Sequence, residues 1–207
     1  MKLLFVGLAV LGLTGCSVFG DSGVESAPYT LISADEAKQI EVRNYDSMIL
    51  VSASMQDSGR NSAFRKLFSY ITGANQGAKE IAMTAPVFMD EKQAKGTEIA
   101  MTAPVFMDES GNGQMMSFVM PKHFTLETTP TPTDPDVVVT EVSDYKVAAI
   151  KFNGTLRDGN IERYTNELQA WINANGYTQI SKPIQAGYNG PLTIPMFRHN
   201  EILIEIE

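Results

Sequence analysis

The sequence predicts an α+β domain built of two similar halves, a pseudo-twofold arrangement whose sheets curve into an open barrel with a helix from each half packed on it. Three observations predict it. Two amphipathic helical segments, residues 61–72 and 160–174, stand at corresponding places in the two halves of the chain. Each is preceded by a pair of apolar runs and followed by further runs. Between the halves lies the proline-rich, extended stretch 128–136 (TTPTPTDPD), and neither half is long enough to bury a full core alone.

The elements follow in order. Residues 39–45 (QIEVRNY) alternate, with Ile40 and Val42 to one side. Residues 48–55 (MILVSASM) are a second apolar run, and both read as strands. Asp57-Ser58-Gly59 breaks the pattern. In the first helix Phe64, Leu67, Phe68 and Ile71 fall at i, i+3, i+4 and i+7, which is one face. Ser58 or Asn61 can cap its start and Gly73 its end, and Arg65, Lys66 and Ser69 occupy the polar face.

Residues 80–91 and 98–109 then carry the same twelve letters, EIAMTAPVFMDE, separated by the linker 92–97. Two units do not make a solenoid, which needs at least three. The duplication is therefore a local device within one domain. Ile99, Met101, Ala103, Val105 and Met107 alternate, as in a strand. Pro86 and Pro104 predict that at least one copy is an edge strand or an extended loop, because proline cannot donate to a ladder. A turn at 109–113 leads into 115–120 (MMSFVM), the expected hairpin partner of the second copy.

The second half repeats the opening. Residues 137–142 and 146–152 read as two strands. The second helix turns Ile161, Tyr164, Leu168, Trp171 and Ile172 inward and ends at Gly176. Residues 180–188 and 201–207 (EILIEIE) close the chain as strands.

Composition narrows the function classes. The 207 residues are 43% hydrophobic, ample for one core, and the formal charge is −8. Without a Lys/Arg cluster an acidic chain is unsuited to nucleic acid, whose phosphates need concentrated positive charge. At the N-terminus, Lys2 precedes an 11-residue apolar stretch, 3–13, too short to span a bilayer. Leu13-Thr14-Gly15-Cys16 matches the bacterial lipobox, so residues 1–15 are expected to be a lipoprotein signal peptide and Cys16 the lipidated, palmitate-bearing residue. Ser17, rather than Asp, leans toward the outer membrane facing the periplasm. Residues 16–34 are small and polar, a flexible tether, and 35–207 form a single domain. Cys16 is the one cysteine, so the folded part has no disulfide, thiolate cluster or cysteine nucleophile. HExxH, GxSxG, CxxC, P-loop and dinucleotide motifs are all missing from the sequence, which argues for a binding protein rather than an enzyme.

Four stretches in order, NSAFRKLFSYITGAN, the doubled EIAMTAPV, SFVMPKHFTLETTPTPTDPDV and GYNGP…RHNEILI, resemble the SOUL haem-binding protein family, bacterial lipoprotein branch. They span roughly residues 40–206, nearly the whole domain. Animal members of that family carry one such phrase, so one copy here is expected to be an added segment. The resemblance implies two βαββ-like halves forming a distorted barrel flanked by two helices. It also implies a monomer binding b-type, non-covalent haem or another porphyrin in an apolar groove beside the first helix and the loop before the last strand. The fold is similar to GyrI-like effector-binding domains, which hold bulky hydrophobic ligands between pseudo-symmetric halves; fold likeness alone does not give function.

Haem needs an apolar slot, cations for its propionates and, optionally, an axial ligand. The candidate haem-contacting residues are Phe64, Arg65, Leu67, Phe68, Ile71, Met83, Met101, Arg198 and His199, with Lys66 a further propionate candidate. His199 is the better axial candidate of the two histidines; His123 is the other. Each is by default a surface histidine. Met115, Met116 and Met120 extend the methionine cluster, and methionine ordinarily fills irregular cores. The helix face carrying Phe64 is by default a core face. Glu201 could meet a cationic ligand or act in a hydrolase. The alternative reading is thus a binder, or less readily a hydrolase, of another bulky hydrophobic molecule.

Overall fold

The structure, a computed structural model, describes residues 25–56, 59–76, 102–103, 105–108, 114–190 and 192–207. In chain order the elements are β1 (Glu25–Ser26), β2 (Thr30–Asp35), β3 (Ile40–Ser54), α1 (Gly59–Ile71), β4 (Asn75–Gln76), β5 (Thr102–Ala103) and β6 (Val105–Asp108). Then come β7 (Met115–Val119), β8 (Thr131–Pro132), β9 (Val137–Phe152), α2 (Asp158–Ala174), β10 (Ile184–Gly187), a 3-10 turn (Pro195–Phe197) and β11 (Asn200–Glu205).

Six strands form a ring in the order β3-β7-β6-β10-β11-β9, and a long β3–β9 ladder closes it. Every pairing in the ring is antiparallel. The expected α+β barrel flanked by two helices is present, and it closes fully where the sequence suggested an open one. Closure removes the exposed edges that an open sheet leaves unpaired. β2 adds outside the ring along the first part of β3. The units β3–α1–β6–β7 and β9–α2–β10–β11 are the two βαββ halves. β3 pairs β7 as β9 pairs β11, and the ladders β3–β9 and β6–β10 join the halves across the pseudo-twofold.

The expected strand pairs at 39–45 and 48–55, and at 137–142 and 146–152, are each one continuous strand of 15 and 16 residues. The polar residues at their centres mark no turn. Register stays constant through Tyr45↔Tyr145 and Ser47↔Ser143. What changes is the face: Arg43 and Tyr45 turn into the barrel before this point, Met48 and Leu50 after it. Asp144, at φ 53, absorbs the change on β9, a conformation Asp tolerates better than most residues. Asn44 Nδ2 donates to Asp144 Oδ1 at 3.2 Å across the same point.

Three apolar clusters result. Ala63, Leu67, Tyr70 and Ile71 of α1 pack on Val51 and Ala53 of β3. Leu168, Trp171 and Ile172 of α2 pack on Ala148, Ile150, Ile202 and Ile204, with Ile161 and Tyr164 at the margin. Tyr45, Phe106, Ala149, Ala186 and Leu203 pack together inside the barrel. Each fully buried aliphatic side chain contributes about 1.5–3 kcal/mol. Gly73 (φ 119) and Gly176 (φ 78) follow the helices as expected, in the left-handed region that favours glycine.

Other expectations need adjusting. Ser58 lies outside the described residues, and Asn61 falls within α1 rather than at its cap. Strand 180–188 shrinks to β10, because residues 179–182 bond instead to the end of the chain through Gln179↔Ile206 and Ile180 N donating to Glu205 O. Part of the expected tether, β1 and β2, is strand: backbone pairing to β3 and β5 holds residues whose side chains stay mostly exposed. The 128–136 stretch is tied down by Tyr70 Oη donating to Pro130 O at 2.7 Å and by β4–β8 pairing.

The second EIAMTAPVFMDE copy supplies β5 and β6; the first lies outside the described residues. β6 forms the expected hairpin with β7 but also pairs β10, so it is an interior strand rather than an edge. Pro104 and Pro86 lie outside the described residues.

Candidate functional site

The four-residue apolar face of α1 divides in two. Leu67 and Ile71 are buried against the sheet. Phe64 and Phe68 are 38% and 43% exposed, and their rings stack at 6.0 Å. Phe64 also meets the core edge-on, 5.6 Å from the ring of Phe118, an arrangement aromatic quadrupoles favour. Phe68 stands about 40° further round the helix than Phe64, on the side away from the buried Ala63, Leu67 and Tyr70, so the face is core on one side and surface on the other. Arg65 is exposed beside them, while Lys66 is ion-paired to Asp136.

The loop between β10 and β11 presents a second apolar surface. Leu192 is 81% and Met196 66% exposed, with Ile194 and Phe197 also outward. The loop is nevertheless well anchored. Gly154 N donates to Pro195 O at 2.9 Å, Asn153 Nδ2 to Met196 O at 3.0 Å, and Arg198 Nε to Thr193 O at 2.8 Å. His199 N donates to Asn189 Oδ1 at 2.6 Å. With its backbone groups so engaged, the loop holds its apolar side chains out at fixed positions. Arg60, at the start of α1, donates to Gln185 on β10, so the helix begins beside the strand that leads into this loop.

At the base of the loop sits a buried ionic cluster. Arg43 Nη1 donates to Glu201 Oε2 at 2.9 Å and Nη2 to Oε1 at 2.8 Å, a two-pronged pair. Tyr188 Oη donates to Oε2 at 2.7 Å, and His199 Nε2 lies 2.7 Å from Oε1. The Tyr188 and His199 rings stack at 3.9 Å, nearly parallel. Tyr45 Oη accepts from Arg43 Nη1 at 3.2 Å, and the ring of Tyr29 lies 4.5 Å from the guanidinium carbon. Arg43 Nε lies 3.2 Å from Glu41 Oε2 but outside hydrogen-bond geometry. We take that contact as electrostatic only.

Burial alone would raise the Glu201 carboxyl. The His199 hydrogen bond and the charge of Arg43 outweigh it and hold the carboxyl down at about 2. Burial and the Glu201 charge push the Tyr188 hydroxyl well up, so it remains a donor. Arg43 is pushed further up, burial being overcome by Glu201. A cavity of about 170 Å³, lined by Gln39, Lys151 and His199 among others, adjoins the cluster.

The structure therefore places Arg198 and His199 at the loop base and Phe64, Arg65 and Phe68 on the α1 surface. Leu67 and Ile71 lie in the core beneath. Met83, Met101 and Cys16 lie outside the described residues. His123 is exposed, its ring 4.3 Å from Phe124. Met116 and Met120 are core. Among the described residues no group of three or more His, Cys, Asp or Glu could hold a metal ion. Sequence reasoning missed Arg43, Tyr45 and Tyr188. Arg43 sits 158 residues from its partner, and the one visible sign was a charge at an inward position of an otherwise apolar strand.

The matched family model is the SOUL heme-binding protein, over residues 24–95 and 88–205. The chain belongs to that family. Each matched segment holds one complete copy of EIAMTAPVFMDE. No curated protein matches the chain. Among solved structures, a hydrolase from Listeria innocua is similar at TM-score 0.54 and 10% identity, over 82% of this chain and 92% of that one. An uncharacterized conserved protein from Listeria innocua is similar at TM-score 0.54 and 9% identity, over 82% and 93%. EcmrR in an EcmrR–DNA complex is similar at TM-score 0.53 and 13% identity, over 82% of this chain but 57% of EcmrR. At such identities these likenesses show the fold alone.

The residues present fit a tetrapyrrole. The exposed apolar side chains of α1 and of the β10–β11 loop are of the kind a macrocycle packs against, and the exposed Arg65 offers a charge to a propionate. His199 Nε2 is committed to Glu201, so any bond from His199 to iron would fall to Nδ1.

Proposed function

We propose that this protein is a lipid-anchored tetrapyrrole-binding protein of the bacterial cell envelope, which sequesters or carries b-type haem or another porphyrin without covalent attachment. The carrying observation is the stacked, exposed Phe64–Phe68 pair on a helix whose inner face is otherwise buried. Exposed aromatic pairs cost solvent-facing apolar area that a domain with an ample core has no structural need to leave uncovered. The macrocycle lies against Phe64, Phe68 and the apolar loop side chains; Arg65 and Arg198 meet the propionates. Family membership supports the ligand class. The lipobox and Cys16 support the location, with the outer-membrane leaflet favoured by Ser17.

A haem titration followed in the Soret band, with Phe64→Asp and Phe68→Asp alongside, tests the site. The wild type should saturate at one equivalent and each variant should lose at least tenfold in affinity while keeping its circular dichroism. Unchanged affinity in a folded variant removes the ligand from this face. Labelled palmitate incorporation, lost in Cys16→Ala, tests the anchor.

The hydrolase alternative has less support. Glu201 is tied to Arg43 at both oxygens and titrates near 2, which makes it a poor general base near neutrality.

A further inference from the structure

The barrel interior contains a cavity of about 360 Å³ that the tetrapyrrole reading does not use. Its walls are Met48, Leu50, Phe106, Met115, Val142 and Ile184, drawn from both halves. Neither the Phe64–Phe68 face nor the Arg43–Glu201 cluster lines it. The cavity opens to solvent on the side where the exposed Lys182 stands, and mostly apolar clefts with a few polar groups are where small ligands bind. This one stands at the low end of the ~300–1,000 Å³ range of ligand pockets.

We infer that the barrel interior is a second ligand site, for a single unbranched aliphatic chain with an uncharged hydroxyl head. The length of one wall argues for a chain. Met48, Leu50 and Ser52 line the cavity at successive alternate positions of β3, a run of roughly 13 Å at ~3.3 Å per residue. That run suits roughly ten carbons with bonds of ~1.5 Å. Along it, the Ser52 and Ser117 hydroxyls bond each other at 2.7 Å, which partly satisfies the wall's polar atoms there.

The solvent side argues for the head. Lys182 and Glu205 both line the cavity, with Ser181 between them in the hydrogen-bond pattern: its hydroxyl donates to Lys182 O and accepts from Glu205 N. A charged head would be attracted by one of the two side chains and repelled by the other. A hydroxyl can accept from the ammonium and donate to the carboxylate.

The test is binding of straight-chain alcohols from hexanol to dodecanol to the full chain, by calorimetry, with decanoate and decylammonium as charged counterparts. Affinity should rise roughly fourfold per methylene, the factor set by about 0.8 kcal/mol for each buried CH₂, and level off near ten carbons. Decanol should bind more tightly than either charged analogue. Leu50→Trp and Ile184→Trp should each weaken decanol at least tenfold, while Phe64→Asp leaves it unchanged. No saturable binding of any alcohol, or full binding in both tryptophan variants, overturns the site. Preference for a charged head overturns the head assignment. If either variant fails to fold, the methylene series on the wild-type chain decides. Because Phe64→Asp separates the two faces, failure here leaves the tetrapyrrole reading standing, and the reverse.

Discussion

Arg43 is 3% exposed and Glu201 1%. Two opposite charges that deep are tolerable only when paired and hydrogen-bonded; here Tyr188, Tyr45 and His199 add bonds to the pair, and Arg43 Nε keeps an electrostatic contact with Glu41. Removing one partner strands the other. Arg43→Met should therefore lower stability by about 3–5 kcal/mol, read by urea unfolding, and Arg43→Met with Glu201→Leu should recover much of that loss. The pair also sets an acid limit. Its carboxyl titrates at about 2 in the fold against 4.5 ordinarily, so as pH falls the unfolded chain takes up the proton first. The stabilisation is full above about pH 4.5 and disappears between there and about pH 2. Unfolding free energies measured from pH 6 down to 3 should fall more steeply in the wild type than in the double variant; parallel curves would remove this role. None of this was legible beforehand. Glu201 drew notice as a carboxylate that could meet a cationic ligand or act in a hydrolase, not as half of a buried pair, and its partner lies in the other half of the chain. Residue types show charge, but only the fold shows which charges meet.

At the scale of elements, periodicity carried the helices well because an amphipathic face repeats locally. It carried the strands less well. β3 and β9 each read as two strands, since Asp46 and Ser143-Asp144 look like turn residues. They instead mark where a long strand changes the face it turns inward, a consequence of closure that no local window contains. β2 was invisible because its pairing is backbone to backbone and its side chains stay exposed. The duplicated phrase was unmistakable, but its position in the sheet came from the β6 pairings alone. Since the copies are identical, one copy suffices to supply β5 and β6. Deleting residues 80–97 joins Lys79 directly to the second copy and should leave the midpoint of thermal unfolding within a few degrees and haem affinity within about twofold. Loss of the cooperative transition would mean the first copy is part of the core structure.

For the whole molecule, the pseudo-twofold explains why one chain carries such different surfaces at related places. The barrel and its two helices were legible from the repeated order of strands, helix and strands, together with the family resemblance. The chemistry was not, because the halves have diverged in sequence while keeping the topology. One end of the interior became ionic and another stayed apolar. Outside, α1 and the β10–β11 loop keep apolar side chains partly or largely exposed. The central claim is that a tetrapyrrole lies on that outer surface. The most direct measurement is a map of backbone amide shift changes on adding gallium protoporphyrin, a diamagnetic stand-in for haem. The account predicts changes concentrated in residues 59–71 and 189–199, with the barrel interior quiet. Changes centred on Leu50, Phe106 and Ile184, or spread evenly over the chain, would contradict it.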